Sequence, residues 1–218
     1  SAVYTGNTYT VPTAPLTAIT NTKVLLNMAD GQVIDSAAQA EWTAAVVANG
    51  TPKLQTGQKK IGASSLYFDG SSNYFFQKGF LPGGTGNFTI EFWFRASNIN
   101  DNATILTAGG IYFQFYQNKL LYFPYNGSAS IDTSTISTNT WYHVAGVRSG
   151  TTFYFFLDGA SQGTLTSVTA AVSNGTGYFG MNGNAPYTGY IDEMRISRLA
   201  RYTANFTPST EPFADKGR

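Results

Sequence analysis

The sequence predicts an all-β protein: a jelly-roll sandwich of two antiparallel sheets. Three observations carry that prediction. Phe88, Ile90, Phe92 and Phe94 alternate without a break with Thr89, Glu91, Trp93 and Arg95, and Ile111, Phe113 and Phe115 repeat the pattern. A period of two puts each apolar set on one face of a strand. Short runs of this kind recur along the chain, separated by Gly-, Asn- and Asp-containing turns and with no amphipathic helix between them, which is how two packed sheets read. Finally, 42% of residues are apolar and only 11% charged, with 16 Phe and 14 Tyr, a mixture that suits pleated, half-buried surfaces.

The same numbers exclude several functions. A formal net charge of +1 offers no electrostatic footprint for nucleic acid or an anionic membrane, which need clustered Lys and Arg. With no cysteine there is neither a disulfide framework nor a thiolate metal site. No apolar run approaches the roughly 18 residues of a membrane-spanning helix, and no basic-then-apolar leader opens the chain, so membrane insertion is not expected.

In chain order, residues 1–22 are rich in Thr, Pro, Ala and Asn without periodicity and read as an extended linker. A single domain is expected over residues 23–213, with 214–218 as a short tail. Lys23 to Met28 is the first strand candidate, and Val33 to Ala48, where helix and strand formers mix, is a surface excursion ending in a strand. Leu66-Tyr67-Phe68, the turn at Gly70 and Asn73 to Phe76 read as a hairpin. After the Phe88 strand, Gln117-Asn118-Lys119 turns Ile111–Phe115 back into Leu120–Phe123. Trp141 to Arg148 is next, and Asp158-Gly159 closes a second hairpin through a turn suited to positive φ. Gly177 to Met181 is a further short strand. The last strand, Tyr190 to Ser197, is expected to end in a short turn of helix. Alternation there puts Asp192 in one row with Tyr190, Met194 and Ile196. A carboxylate so placed must be paired, hydrogen-bonded or bound to a cation.

Five motifs occur in one order: Leu66-Tyr67-Phe68-Asp69-Gly70, Phe88 to Phe94, Trp141-Tyr142-His143-Val144-Ala145, Phe155-Phe156-Leu157-Asp158-Gly159 and Gly189 to Ile196. Together they resemble the laminin G-like branch of the concanavalin A-like lectin/glucanase superfamily, over about Lys23 to Phe213. The closing words Ala200-Arg201-Tyr202-Thr203-Ala204-Asn205-Phe206-Thr207-Pro208 resemble the version found in bacteriophage tail and virion proteins. That resemblance implies a recognition or adhesion module exposed on the virion, on a tail fibre or capsid decoration. Its partners would be a carbohydrate or host surface, other virion proteins, or copies of itself. The alternative is a purely structural virion module that packs against protein and binds no sugar.

The closing words have an internal echo. Tyr4-Thr5-Gly6-Asn7-Thr8-Tyr9-Thr10-Val11-Pro12-Thr13-Ala14-Pro15-Leu16 parallels Tyr202-Thr203-Ala204-Asn205-Phe206-Thr207-Pro208-Ser209-Thr210-Glu211-Pro212-Phe213, allowing a short insertion. Residues 1–16 therefore read as the closing segment of a preceding similar domain, while convergence of Thr/Pro-rich linkers is the plainer alternative. The initial Ser1 fits a processed product or a piece of a longer chain.

Catalysis is not expected. Glycoside hydrolysis needs two carboxyl groups flanking one bond, and the Glu-x-Asp-x-x-Glu run of the glucanase members is missing. Glu91 stands alone on its strand, and Asp192 and Glu193 are adjacent and so point to opposite faces. His143, the single histidine, reads as a packed, hydrogen-bonded structural residue. For calcium, a hard cation that takes oxygen ligands, the candidates are Asp69, Asn73 and Asp192, provided the fold brings the Gly70 turn beside the last strand. Otherwise Asp69 caps its own turn and Asp192 accepts backbone hydrogen bonds. For a carbohydrate, the loop residues Tyr187, Asn182, Asn184, Tyr125 and Asn126 supply aromatic and amide groups of the right kind. They serve equally well as surface cover or contact with a neighbouring subunit.

Overall fold

The computed structural model describes residues 26–27, 34–35, 46–49, 53–71, 73–76, 81, 83–124, 129–182 and 185–213. The expected linker at 1–22 and tail at 214–218 lie outside them, as do most of Lys23–Met28 and of 33–48. Among the described residues there is no helix. The strands run β1 (Leu26–Asn27), β2 (Ile34–Asp35), β3 (Val46–Asn49), β4 (Lys53–Gln55), β5 (Ser65–Asp69) and β6 (Asn73–Phe76). The middle of the chain forms β7 (Phe88–Ala96), β8 (Thr104–Ala108), β9 (Ile111–Tyr116), β10 (Lys119–Phe123), β11 (Ile131–Asp132) and β12 (Tyr142–Ser149). The remainder are β13 (Thr152–Leu157), β14 (Ala160–Leu165), β15 (Gly177–Phe179), β16 (Met181–Asn182), β17 (Ala185–Pro186) and β18 (Thr188–Ser197).

Two seven-stranded sheets make the sandwich. The first has the order β14-β13-β12-β7-β18-β5-β4 and the second β11-β10-β9-β8-β15-β6-β3, with every pairing antiparallel. Alternation does what the sequence predicts: Phe88, Ile90, Phe92 and Phe94 are fully buried and face Phe113 and Phe115 of the other sheet. Phe92 meets Phe113 edge-on at 5.2 Å, and Tyr122 stacks on Phe155 at 5.2 Å, arrangements that add to the area-proportional gain of burial. The turn signals hold as well. Gln117 and Asn118 have φ of 49° and 58°, and Asp158 and Gly159 have 48° and 79°, the two consecutive left-handed residues that a tight hairpin requires. At one end of the core the fully buried Arg148 donates to the carbonyls of Gly150, Gly84 and Ala170, tying three loops together.

Three expectations are corrected. β5 and β6 are not a hairpin: β5 pairs with β18 and β4, whereas β6 pairs with β15 and β3. The Gly70 turn carries the chain from one layer to the other. A strand, a short turn and a strand read the same whether the strands pair or cross the sandwich; only the partners distinguish them. Second, β18 does not alternate throughout. Its register with β7 shifts between Asp192 and Arg195, and Glu193 sits at φ 44°. This bulge turns Ile191, Met194 and Ile196 all toward the core and leaves Asp192 on the outer face. Third, the chain after Ser197 forms no helix. Residues 198–213 run as an irregular strap over the outer face of the first sheet, where Ala200, Tyr202 and Phe206 pack on Ala145, Val147 and Phe156 as a second small core.

Candidate functional site

The outer face of the first sheet is organised in rows that the register defines. One row holds Arg195, Glu91, Ala145 and Phe156; the next holds Asp192, Trp93 and His143; the one beyond holds Lys53, Tyr67, Tyr190 and Arg95. Among the described residues, the strap and the loop around Lys60 cover the first two rows and nothing covers the third.

Cover over the first row comes from the strap. Glu91 is fully buried, with Arg195 Nε and Nη2 both 2.7 Å from its Oε1. The Tyr202 hydroxyl donates to Oε2 at 2.9 Å. Arg201 Nε lies 3.8 Å from Oε1 and donates to the Ser197 hydroxyl at 2.6 Å. Burial acts to raise the Glu91 pKa, but His143 and Arg195 outweigh it and hold the carboxyl below its ordinary range. Glu91 is the one carboxylate on β7, as the sequence reads, and its partners are guanidinium and hydroxyl groups from β18 and the strap, distant in sequence. His143 is fully buried as expected and its Nε2 faces Glu91 Oε2 at 3.5 Å, near enough to act on the carboxylate electrostatically but too far for a good hydrogen bond, so neither ring nitrogen has a hydrogen-bond partner. It is held by ring packing instead, edge-on to Trp93 and Phe206.

The second row is covered by the loop around Lys60, which Asp192 anchors. Asp192 Oδ2 accepts the backbone N–H groups of Lys60 and Ile61 at 2.7 and 3.1 Å, and Oδ1 accepts that of Glu193 at 2.9 Å. Lys60 Nζ then lies 4.2 Å from the Trp93 ring centre, within cation–π range. Burial pushes Asp192 up in pKa against those three donors.

This placement decides the calcium candidates. The Gly70 turn does lie beside the last strand, since Asp69 pairs with Thr188. Asp192, however, is four residues further along β18, about 13 Å at the usual strand rise, with its oxygens committed to backbone donors. Asp69 is exposed and caps its own turn, accepting from the Ser71 N–H and hydroxyl at 2.8 Å each. The two carboxylates do not fit one cation, and the Asn73 side chain lies outside the described residues. Among the described residues no group of three His, Cys, Asp or Glu gathers as a metal site.

The sugar candidates are not one site either. Tyr187 is a core residue, not a loop platform: it is fully buried, stacks on Phe115 at 6.2 Å, meets Phe68 at 5.9 Å and donates its hydroxyl to the Tyr190 carbonyl at 2.9 Å. A ring between two sheets cannot also face a ligand. Asn182 is in β16, which follows β15 at the end of the second sheet where β8 begins. The chain leaves β10 at the opposite end, where Phe123 pairs with Tyr112. The side chain of Asn182 and the whole of Asn184, Tyr125 and Asn126 lie outside the described residues.

The third row is the site that sequence reading missed. Tyr67 and Tyr190 lie with ring centres 4.9 Å apart, Trp141 is 6.4 Å from Tyr190, and the Arg95 guanidinium lies over the Tyr190 ring at 5.6 Å. All four side chains are half-buried. Among the described residues no carboxylate pairs with Arg95, and the Tyr67 and Tyr190 hydroxyls have no hydrogen-bond partner. The result is a wall of three rings edged by a guanidinium with five N–H donors. It can stack on the apolar face of a ligand while donating to its oxygens. The usable signal was the outward half of each alternation: Tyr67 between Leu66 and Phe68, Arg95 after Phe94, Tyr190 before Ile191.

Where the strap ends, Glu193 Oε2 accepts the Phe213 N–H at 2.7 Å, and Arg195 lies 4.0 Å over the Phe213 ring. Burial is the main reason that the Glu193 carboxyl is pushed up to about 7, with Asp192 adding to it. An acid raised in the folded state binds protons that the unfolded chain has lost, so its contribution to stability falls as pH rises from the ordinary carboxylate range through about 7. Thermal melts of Glu193→Gln and the parent at pH 5 and pH 8 test this: the difference, variant minus parent, should be more positive at pH 8. A difference that is the same at both values would refute it.

Comparison with known proteins bears on the fold. The sequence model of a laminin G-like family, described as the concanavalin A-like lectin/glucanases superfamily, matches residues 68–205. Among curated proteins nothing matches. Similar solved structures include domain 4 of AbnA, an extracellular arabinanase of Geobacillus stearothermophilus, in complex with arabinotriose. It is 17% identical, with a TM-score of 0.58 over 72% of this chain and 82% of that one. The binding domain of botulinum neurotoxin serotype D/C is 16% identical, with a TM-score of 0.65 over 84% of this chain and 50% of that one. A heptameric pentraxin of Limulus polyphemus is 20% identical, with a TM-score of 0.52 over 64% and 77%. At these identities the structures speak for the fold alone. With the family match over more than half its length, an all-β sandwich and a laminin G-like order of motifs, the chain belongs to the concanavalin A-like lectin/glucanases superfamily.

Proposed function

We propose that this domain is a non-catalytic recognition module that binds a glycan on the uncovered row of the first sheet, with Trp141, Tyr190 and Tyr67 as the stacking surface and Arg95 as the polar anchor. The observation that carries this is the contrast within one face: two rows are sealed by the strap and the Lys60 loop, while the third presents three rings and a guanidinium without a carboxylate partner among the described residues. Arg95 favours a sugar that carries a carboxylate. The arabinotriose bound to the arabinanase domain supports a glycan as the class of ligand. We place the module on a bacteriophage virion, as part of a tail fibre or capsid decoration, on the resemblance of residues 200–208. Detection of its peptides in purified particles tests that placement, and their absence from particles overturns it.

The experiment is a glycan array with the whole chain, followed by titration of the best hit with and without a calcium chelator. Trp141→Ala and Arg95→Ala are each expected to weaken binding by at least about tenfold, a loss of about 1.4 kcal/mol, while Tyr178→Ala on the other sheet leaves it unchanged. Binding indifferent to both Trp141→Ala and Arg95→Ala would place the ligand elsewhere. Loss of binding with the chelator would restore a calcium site outside Asp69 and Asp192.

A second reading rests on the opposite face. Tyr178, Thr107 and Tyr112 form one row across β15, β8 and β9, and Tyr178 and Tyr116 are the large apolar side chains most exposed among the described residues, at 39% and 44%. An open aromatic sheet face suits packing against protein, as in a structural virion module. Silence across the array, together with self-association that Tyr178→Ser abolishes in sedimentation, would favour it.

A further inference from the structure

We infer that Trp93, in the covered second row, is a further sugar subsite of the same face, closed by the Lys60 side chain and opened when that side chain swings away. The inference rests on the glycan reading of the third row and extends it. Among the described residues six buried side-chain nitrogen and oxygen atoms have no hydrogen-bond partner, and three of them lie in this row: Trp93 Nε1 and both ring nitrogens of His143. An unmet buried polar group is costly and rare enough in folded proteins to call for an explanation. Here they gather beside the open aromatic wall. His143 is shut in by the strap, edge-on to Phe206 at 5.8 Å and to Phe213 at 6.5 Å, which leaves Trp93 as the group that a ligand can reach.

What caps Trp93 is slight. The residue is 6% exposed, and over its ring lies the ammonium of an exposed lysine, Lys60 Nζ, 4.2 Å from the ring centre. The loop itself is fixed through its backbone, since Asp192 accepts the Lys60 and Ile61 N–H groups, so the side chain can leave while the loop stays. A cation–π contact at an exposed site is weak, and holding a lysine stem in one rotamer costs entropy, so opening is cheap. A sugar ring suits the vacated place: its apolar face stacks on the indole and one of its oxygens accepts from the Nε1–H. Trp93 stands two residues before Arg95 on β7, about 7 Å away on the same face, and pairs with Asp192, two residues after Tyr190. It is therefore within reach of the next ring of an oligosaccharide seated on Tyr190 and Arg95.

Parent, Lys60→Ala and Trp93→Phe are compared on an array of uronic-acid oligosaccharides from one to six sugars long, at physiological ionic strength, where the lost lysine charge is largely screened. Lys60→Ala is expected to tighten the long members by about fivefold, the scale of the exposed cation–π contact given up, and to leave the shortest unchanged. Trp93→Phe keeps a ring and loses the N–H, and should weaken the long members alone. A second measurement needs no sugar. With 5-fluorotryptophan in the whole chain, the Trp93 fluorine resonance, identified by its loss in Trp93→Phe, should gain a solvent isotope shift in Lys60→Ala. A Trp93 resonance as protected in Lys60→Ala as in the parent overturns the inference, because more than the lysine then covers the ring. Long oligosaccharides that bind all three chains alike, or a loss in Trp93→Phe that does not depend on length, overturn it and leave the third-row site standing. An array silent for parent and Lys60→Ala overturns both.

Discussion

Replacing Glu91 by alanine is expected to destabilise the domain by roughly 3–5 kcal/mol, the range for removing one member of a buried ion pair, and so to lower its melting temperature by about 10 °C. Arg195 and Tyr202 lose their shared acceptor, and Arg201 loses a nearby counter-charge. The space left is sealed by the strap, so water cannot readily take the place of the carboxylate. Glu91→Gln keeps the volume and one acceptor oxygen and should cost about half as much. Acid titration should show the same group. Its pKa is depressed in the fold, so its contribution is complete above the unfolded carboxylate value and is lost as pH falls through the folded one. Denaturant melts of parent and variant from pH 3 to 7 check both points. A loss below 1 kcal/mol at pH 7, or one that does not shrink in acid, would mean that the strap is held by its rings alone.

That a glutamate in an alternating strand should be fully buried could not be read from β7. Alternation assigned Glu91 correctly to the outer face, and an outer face is ordinarily solvent. What covers it is the strap, where Tyr202, Phe206 and Phe213, four and seven residues apart, read as helix although the segment folds as an irregular cover. The bulge in β18 was hidden for a related reason. Left-handed backbone is usually announced by Gly or Asn, and here Glu193 adopts it, with Asp192 and the Phe213 N–H fixing its two sides. Turns that obey the usual chemistry, Asn118 and Asp158-Gly159, were legible, as were the inward rows of β7 and β9, because each depends on neighbours in sequence. The candidate site was half legible. Each of Tyr67, Arg95 and Tyr190 could be placed on an outward face from its own strand, but their adjacency comes from the order β7-β18-β5, which no single strand encodes. Tyr187 failed in the opposite sense: between Gly180 and Gly189, it read as a loop residue, yet the chain there returns to the core, with the Tyr187 N–H donating to the Gly180 carbonyl.

The hairpin that does follow the rules supplies the sharpest test of the strap. Gly159 has φ 79°, and a Cβ there would fall on the Phe206 carbonyl, far inside contact distance. Gly150, in the preceding hairpin, has φ 60° with nothing within 4 Å of its Cβ position. Both alanine substitutions impose a left-handed alanine, worth about 1–2 kcal/mol, but Gly159→Ala must also push the strap off the β13–β14 turn, breaking the Phe206–Gly159 hydrogen bond and overpacking a filled surface at a further ~1–3 kcal/mol. Gly159→Ala is therefore expected to cost ~3–4 kcal/mol in denaturant melts and Gly150→Ala no more than ~2. The difference between them measures how firmly the strap is seated. It should also shrink in a Phe206→Ala background, where the strap has already lost its anchor, since residues in contact couple non-additively. Equal costs for the two glycines would show that residues 198–213 yield at little expense.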